Sequence, residues 1–190
     1  RFPFLSYLYL GFIGGISVFA FSPFNFKPII VLSLSIFVAA IINSENFWQA
    51  FKKSLAWGMG YWIVGTGWLI VSIYYYGNTS ITISLSIILM MGALLSLVFI
   101  TPFSIIKLLN IDANLFIKCI VFSGLLTILE LLRFVLLGGF PWLLPGLVLL
   151  DTVGENIIPI LGVYGASFIL YFLSILMATS FLNKQYRVFF

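Results

Sequence analysis

Two opposite charges stand one helical turn apart in an otherwise apolar stretch. Glu130 and Arg133 belong to the run ELLRFVLLGGFPW, which spans residues 130–142. Residues at i and i+3 share one face of a helix, so the spacing predicts an ion pair. Ionisable groups inside apolar spans are costly and therefore often functional, and the planar fork of an arginine suits phosphate oxygens. In the alternative interpretation, the pair only neutralises itself and holds the segment that follows.

The same run ends in GFPW, residues 139–142. Gly139 permits unusual backbone angles, Pro141 fixes the direction of the chain, and Trp142 combines an apolar ring with a polar N–H. This combination predicts a shaped wall against acyl chains. The alternative is an interfacial anchor, because Trp is common at both surfaces of a membrane.

Three other residues with reactive side chains are weaker candidates. Cys119 has no recognisable catalytic base beside it and is interpreted as a buried, inert thiol. Asp151 and Glu155 resemble a carboxylate pair for acid–base chemistry, but their positions favour loop polarity or the capping of a helix near Ile157. Because the 190 residues include one Cys and no His, we predict no metal site and no cofactor.

The composition is that of a membrane protein. Hydrophobic residues make up 63% of the chain, charged residues 7%, and the mean hydropathy is +1.22, whereas soluble domains carry about 25% charged residues. The nine basic residues are scattered instead of forming a patch, so we expect no nucleic-acid partner. The sequence predicts an all-α fold, a polytopic bundle that forms one transmembrane domain over residues 1–190.

Long apolar runs separated by Pro, Gly, Asn and Lys predict about six spans. We place them near residues 4–21, 28–43, 54–76, 81–107, 115–137 and 157–182. Pro102 is expected to kink or end the fourth. Glycines on the first and third helices, including Gly11 and Gly15 at GxxxG spacing, predict close helix packing.

The basic residues predict a cytoplasmic amino terminus, because they favour cytoplasmic loops. That orientation places seven of the nine basic residues inside: Arg1, Lys52, Lys53, Lys107, Lys118, Lys184 and Arg187. Lys27 and Arg133 are then left toward the outer face. The apolar, proline-containing segment GGFPWLLPGLVLLDTVGEN also falls outside, and we predict a long irregular segment folded onto the bundle.

Four ordered motifs resemble the amino-terminal membrane part of bacterial apolipoprotein N-acyltransferases. They are FSPF at residues 21–24, the glycine-rich third helix ending in GWLIVSIYYYG at 67–77, ELLR followed by GFPW with Gly146 beyond, and GVYGASF at 162–168. The resemblance runs through nearly all 190 residues.

This resemblance implies a bacterial plasma-membrane enzyme of lipoprotein maturation. The family transfers an acyl chain from a phospholipid, usually phosphatidylethanolamine, to the amino-terminal diacylglyceryl cysteine of a lipoprotein. Its chemistry runs through a cysteine thioester, supported by Glu and Lys, in a nitrilase-like domain that is not among these 190 residues. The chain is therefore expected to be a fragment that is inactive alone. The residues carried over are Trp142, Pro141, Glu130 and Arg133, as the walls of a lateral lipid entrance.

Two other functions stay open on sequence grounds. One is a standalone lipid-binding module that partners a separate catalytic chain. The other is a small transporter, suggested by Glu130 and Arg133 within a span and by prolines near the outer face.

Overall fold

A computed structural model describes residues 3–109 and 113–182. Six principal helices account for most of this part of the chain: α1 (Pro3–Ser17), α2 (Pro28–Ile42), α3 (Phe47–Thr66), α4 (Ile81–Phe99), α5 (Leu115–Leu136) and α6 (Ile158–Leu182). Shorter turns are Val18–Ala20, Leu69–Val71, Ser72–Tyr76, Thr101–Lys107, Pro145–Leu149 and Glu155–Ile157. No strand occurs within the described ranges. The all-α prediction is confirmed.

The third helix begins earlier than predicted. It starts at Phe47 instead of residue 54, because the Asn46 side chain accepts a hydrogen bond from the Gln49 backbone N–H at 2.9 Å and so caps the first turn. The following lysines do not interrupt the helix, since Lys53 Nζ donates to the Ala40 carbonyl of α2 at 2.9 Å. Beyond Thr66 the chain bends by 57° before continuing to Tyr76.

Two other breaks arise from single residues. As predicted, Pro102 ends regular helix: α4 stops at Phe99 and continues as the 3₁₀ segment Thr101–Lys107. Gly162 has φ 71° within the first turns of α6, a conformation that favours glycine.

The number of spans that the helix lengths establish is lower than the predicted six. Three segments are long and apolar enough to cross a membrane, namely Ile81–Lys107, Leu115–Leu136 and Glu155–Leu182, and the bent pair Phe47–Thr66 and Leu69–Tyr76 is a fourth if it acts as one span. The remaining apolar helices have 10–17 residues. A helix of 15 residues, such as α2, reaches about 22 Å, less than the ~30 Å hydrocarbon core. Six spans stay a prediction.

Glycines bring α1 and α3 into backbone contact, as the sequence predicts. A Cβ on Gly60 would lie 1.8 Å from the Gly11 carbonyl oxygen, and a Cβ on Gly14 would lie 2.0 Å from that of Trp57. Close beside this contact, Trp57 stacks on Phe37 with ring centroids 4.7 Å apart. Small residues therefore fix the distance between the two helices.

The two ends of the bundle carry different side chains. At one, which we call the lysine end, Lys53 and Lys107 donate to carbonyls at the carboxyl terminus of α2, and Lys107 Nζ lies 3.0 Å from the Ile42 oxygen. At the other, the aromatic end, Trp68 contacts Trp142. The lysine end is the one that we predict to be cytoplasmic. Arg1, Lys184 and Arg187, which the same prediction uses, lie outside the described residues.

Replacing Gly60 with Ala is expected to lower the melting temperature of the purified chain in detergent. The added Cβ forces α1 and α3 apart, and overpacking costs about 1–3 kcal/mol. The matched control is Gly124→Ala on α5, because nothing lies within 4 Å of a Cβ there and alanine is the better helix former. Equal melting temperatures for the two variants would contradict the glycine contact.

Candidate functional site

A large cavity opens at the aromatic end, with a volume of about 710 Å³. Its walls come from the turn after α1, the end of α3 and the segment between α5 and α6, which spans residues 137–157 and is called the linking segment below. Both Pro141 and Trp142 line the cavity, together with Phe21, Pro23, Trp68 and Leu147. Volumes of about 300–1,000 Å³ with mainly apolar walls are typical of small-molecule sites.

Three aromatic rings pack together beside this cavity, and we call Trp68, Phe140 and Trp142 the aromatic wall. Trp68 and Trp142 line the cavity, and Phe140 packs against Trp142. The Trp142 ring centroid lies 5.0 Å from that of Trp68, in an edge-to-face arrangement, and 4.7 Å from that of Phe140. Trp142 remains 37% exposed. Its ring is therefore held on two sides and free on the side that faces the cavity.

The linking segment turns sharply to present these rings. Gly138 and Gly139, just after α5, have φ 61° and 95°. Glycine adopts such positive φ values without strain and therefore commonly ends a helix. Leu143 has φ 55°, which is uncommon for a residue with a branched side chain. Tyr61 Oη donates to the Leu143 carbonyl at 2.6 Å and so stabilises this turn from α3.

A second attachment joins the linking segment to α6. The Gly146 N–H donates to Ser167 Oγ at 2.9 Å. A Cβ at position 146 would lie 2.1 Å from the Val163 carbonyl oxygen, so only glycine permits this close approach. The predicted irregular segment thus exists and is folded onto the helices, while its outer location stays a prediction.

Glu130 and Arg133 do not form the direct ion pair that their spacing predicts. Glu130 is 6% exposed, and its Oε1 accepts a hydrogen bond from Tyr171 Oη at 2.8 Å. Oε2 of Glu130 and Nε and Nη2 of Arg133 have no hydrogen-bond partner among the described residues. The expectation of an ion pair is wrong because it weighed only neighbours on one helix, whereas α6 supplies a hydroxyl to Glu130.

Arg133 is packed against aromatic rings instead. It is 3% exposed, and its guanidinium carbon lies 4.8 Å from the ring centroid of Trp62 and 5.9 Å from that of Phe140. Such cation–π contacts stabilise by ~2 kcal/mol or more when water is excluded. Since Phe140 also contacts Trp142, Arg133 supports the aromatic wall from behind.

A small cavity lies beside these two charged groups. Its volume is about 30 Å³, and Tyr61 and Tyr171 share its lining with Glu130 and Arg133. This is room for about one water molecule and too little for a phosphate group. The four predicted site residues therefore separate into two places: Pro141 and Trp142 line the large cavity, and Glu130 and Arg133 lie in the interior behind it.

Sequence reasoning missed the residues that hold the site together. Tyr61, Trp62, Ser167 and Tyr171 come from distant helices, and Tyr171 is 41 positions from Glu130. No local spacing signals such pairs.

The weaker candidates have surroundings that fit a structural role. Cys119 is fully buried, as expected of an inert thiol. Glu155 Oε2 accepts a hydrogen bond from the Asp151 backbone N–H at 2.8 Å, as expected of polar groups in a loop.

Removing the Tyr171 hydroxyl is expected to destabilise the protein through Glu130. In Tyr171→Phe the buried Glu130 loses the hydrogen bond to Oε1, at a cost of about 1–3 kcal/mol. Chemical unfolding in detergent measures the effect, and a double-mutant cycle with Glu130→Leu isolates it. A Tyr171→Phe cost that is the same in the Glu130→Leu background would contradict the contact.

Comparison with known proteins identifies the family. The model for the apolipoprotein N-acyltransferase N-terminal domain matches residues 13–176. The apolipoprotein N-acyltransferase of Wigglesworthia glossinidia brevipalpis is 32% identical over 180 residues, which cover 92% of this chain and 35% of that protein. Its counterpart in Haemophilus influenzae is 30% identical over 165 residues, covering 87% of this chain and 30% of the relative.

A third relative, the apolipoprotein N-acyltransferase of Coxiella burnetii, is 28% identical over 184 residues, covering 90% of this chain and 36% of its own length. The chain thus spans about a third of the length of these curated relatives. The match of the family model to most of the chain confirms the resemblance that the four motifs carry. The chain belongs to the apolipoprotein N-acyltransferase family and corresponds to its amino-terminal domain.

Proposed function

We propose that this chain is the lipid-handling membrane part of an apolipoprotein N-acyltransferase. In this proposal it receives a membrane phospholipid as the acyl donor and the diacylglyceryl cysteine of a lipoprotein as the acceptor, at the aromatic end of the bundle. The acyl transfer itself belongs to a nitrilase-like domain that residues 1–190 do not include. We place the protein in the bacterial plasma membrane with the lysine end in the cytoplasm.

The observation that carries this proposal is the cavity of about 710 Å³, which Trp68 and Trp142 of the aromatic wall line. Its lining is mainly apolar, with Ser22, Asn25 and Asp151 as polar groups. Such a composition suits an acyl chain with a polar head at the rim. Trp142, free on one side, offers a rigid face against which a chain can pack.

The buried charges support this wall in our proposal instead of binding the donor. Arg133 fixes Phe140, and Phe140 fixes Trp142, through the ring contacts described above. Tyr171 holds Glu130, and the carboxyl group of Glu130 interacts electrostatically with Arg133. All four site residues then serve one surface, two by lining it and two by holding it.

Neither alternative function has comparable support. A transporter needs a path for its solute, and the cavity beside Glu130 and Arg133 has a volume of only about 30 Å³, which is too small for one.

The other alternative is a standalone module that partners a separate catalytic chain. In that case acylation appears only when a nitrilase-like chain is supplied in trans. Cells that carry the complete coding region, with and without such a second chain, distinguish the two arrangements.

Trp142→Ala in the complete enzyme is expected to reduce lipoprotein N-acylation about tenfold, because a loss of ~1.4 kcal/mol in acyl-chain binding corresponds to that factor. Mass spectrometry of a lipoprotein measures the acylated fraction, and immunoblotting measures the abundance of the enzyme. The matched control is Trp48→Ala, since Trp48 is 67% exposed near the start of α3. If both variants lose the same amount of N-acylation activity per amount of enzyme, Trp142 acts only as a membrane anchor.

Arg133→Met is expected to lower activity by the same factor with every phospholipid donor. A residue that supports the wall acts on the acyl-chain site, which all donors share. A guanidinium at the donor's head group instead responds to the net charge there, which differs between zwitterionic phosphatidylethanolamine and anionic phosphatidylglycerol. Initial rates with phosphatidylethanolamine and phosphatidylglycerol vesicles separate the two roles. A factor that differs severalfold between the donors would contradict the supporting role.

A further inference from the structure

The lysine end contains a second cavity that the proposed acyl-transfer site does not use. Its volume is about 300 Å³, and it lies where α2, the Thr101–Lys107 segment, α5 and α6 come together. Most of its lining is apolar: Ile42, Ile106, Leu109, Leu115, Phe122 and Leu182. Two lysines, Lys107 and Lys118, also line it, so apolar walls and positive charge meet in one place.

The two ammonium groups retain free hydrogen-bonding capacity. Both lysines are half-buried. Lys107 Nζ donates one hydrogen bond, to the Ile42 carbonyl, and an ammonium has three donors. Lys118 makes no side-chain hydrogen bond or ion pair with any residue that the structure describes. An acceptor of negative charge between them would satisfy both.

The described residues provide no carboxylate for this purpose. Glu45 is the acidic group that acts on Lys53, Glu130 is held by Tyr171, and Asp151 and Glu155 belong to the linking segment at the other end. Lys52 and Lys53 add further positive charge on α3. Asp112 lies outside the described residues, and an Asp112→Asn variant tests its contribution.

We propose that this cavity binds an anionic phospholipid, with its phosphate between Lys107 and Lys118 and one acyl chain against the apolar walls. Basic pockets between transmembrane helices are known to hold lipid head groups. A lipid fits better than a soluble anion because the two lysines border a mainly apolar cavity and belong to segments that are long and apolar enough to cross a membrane. The site lies at the opposite end from the aromatic wall and does not depend on the proposed acyl transfer.

Lipid binding to the chain in nanodiscs tests this proposal. Discs of equal parts phosphatidylethanolamine and phosphatidylglycerol are compared by native mass spectrometry for the lipid that stays bound. The unmodified chain is expected to retain phosphatidylglycerol about tenfold more than phosphatidylethanolamine. The double variant Lys107→Gln and Lys118→Gln loses this preference. Lys52→Gln is the matched control, because Lys52 is an exposed lysine of the same end that does not line the cavity, and it retains the preference.

Further variants keep the result interpretable. Lys107→Arg with Lys118→Arg preserves both charges and retains the preference, which separates loss of charge from loss of folding. Asp112→Asn leaves the preference unchanged. The proposal is overturned if the double glutamine variant still prefers phosphatidylglycerol, or if Lys52→Gln loses the preference to the same extent. It is also overturned if the unmodified chain shows no preference and Asp112→Asn creates one. Competition by millimolar inorganic phosphate would likewise overturn it, by showing a site for a soluble anion.

Discussion

The buried guanidinium of Arg133, packed on the rings of Trp62 and Phe140, is the contact around which the aromatic end is arranged. Taking a cation out of water costs several kcal/mol, so its surroundings must compensate. The ring faces do so in part, and the carboxyl group of Glu130 is an acidic group that interacts electrostatically with Arg133. Arg133 thereby positions Phe140. Because Phe140 also packs against Trp142, Arg133 indirectly positions the aromatic wall.

Two hydrogen bonds complete this arrangement. Tyr61 holds the turn at Leu143, and Ser167 holds Gly146. These attachments come from α3 and α6, and Arg133 comes from α5, so three helices hold one segment. An irregular chain that is tied down in this way keeps its shape, and the backbone groups of Leu143 and Gly146 gain hydrogen-bond partners. The cavity stays open because the rings that border it are packed from behind.

The sequence was sufficient for the coarse description, for physical reasons that particular residues illustrate. Apolar runs longer than a strand predict helices, and Pro102 correctly predicts the end of α4. The glycines of α1 and α3 predict a close approach that Gly11 and Gly60 confirm. Lys52 and Lys53 misled the prediction of α3, because charge suggested a loop although Lys53 reaches a carbonyl of α2. The prediction for Glu130 failed for a related reason: its partner, Tyr171, is distant in sequence, and local periodicity has no information on contacts between helices.

The proposed function has one central claim, that the acyl chain of the donor lies in the cavity against Trp142. The most direct measurement is photo-cross-linking of the complete enzyme with a phospholipid that carries a diazirine in its acyl chain, followed by mapping of the labelled peptides. We expect labels concentrated on residues that line the cavity, namely Trp68, Pro141, Trp142, Leu147 and Leu150. Labels spread evenly over the exposed faces of α4 and α5, with none on these residues, would contradict it.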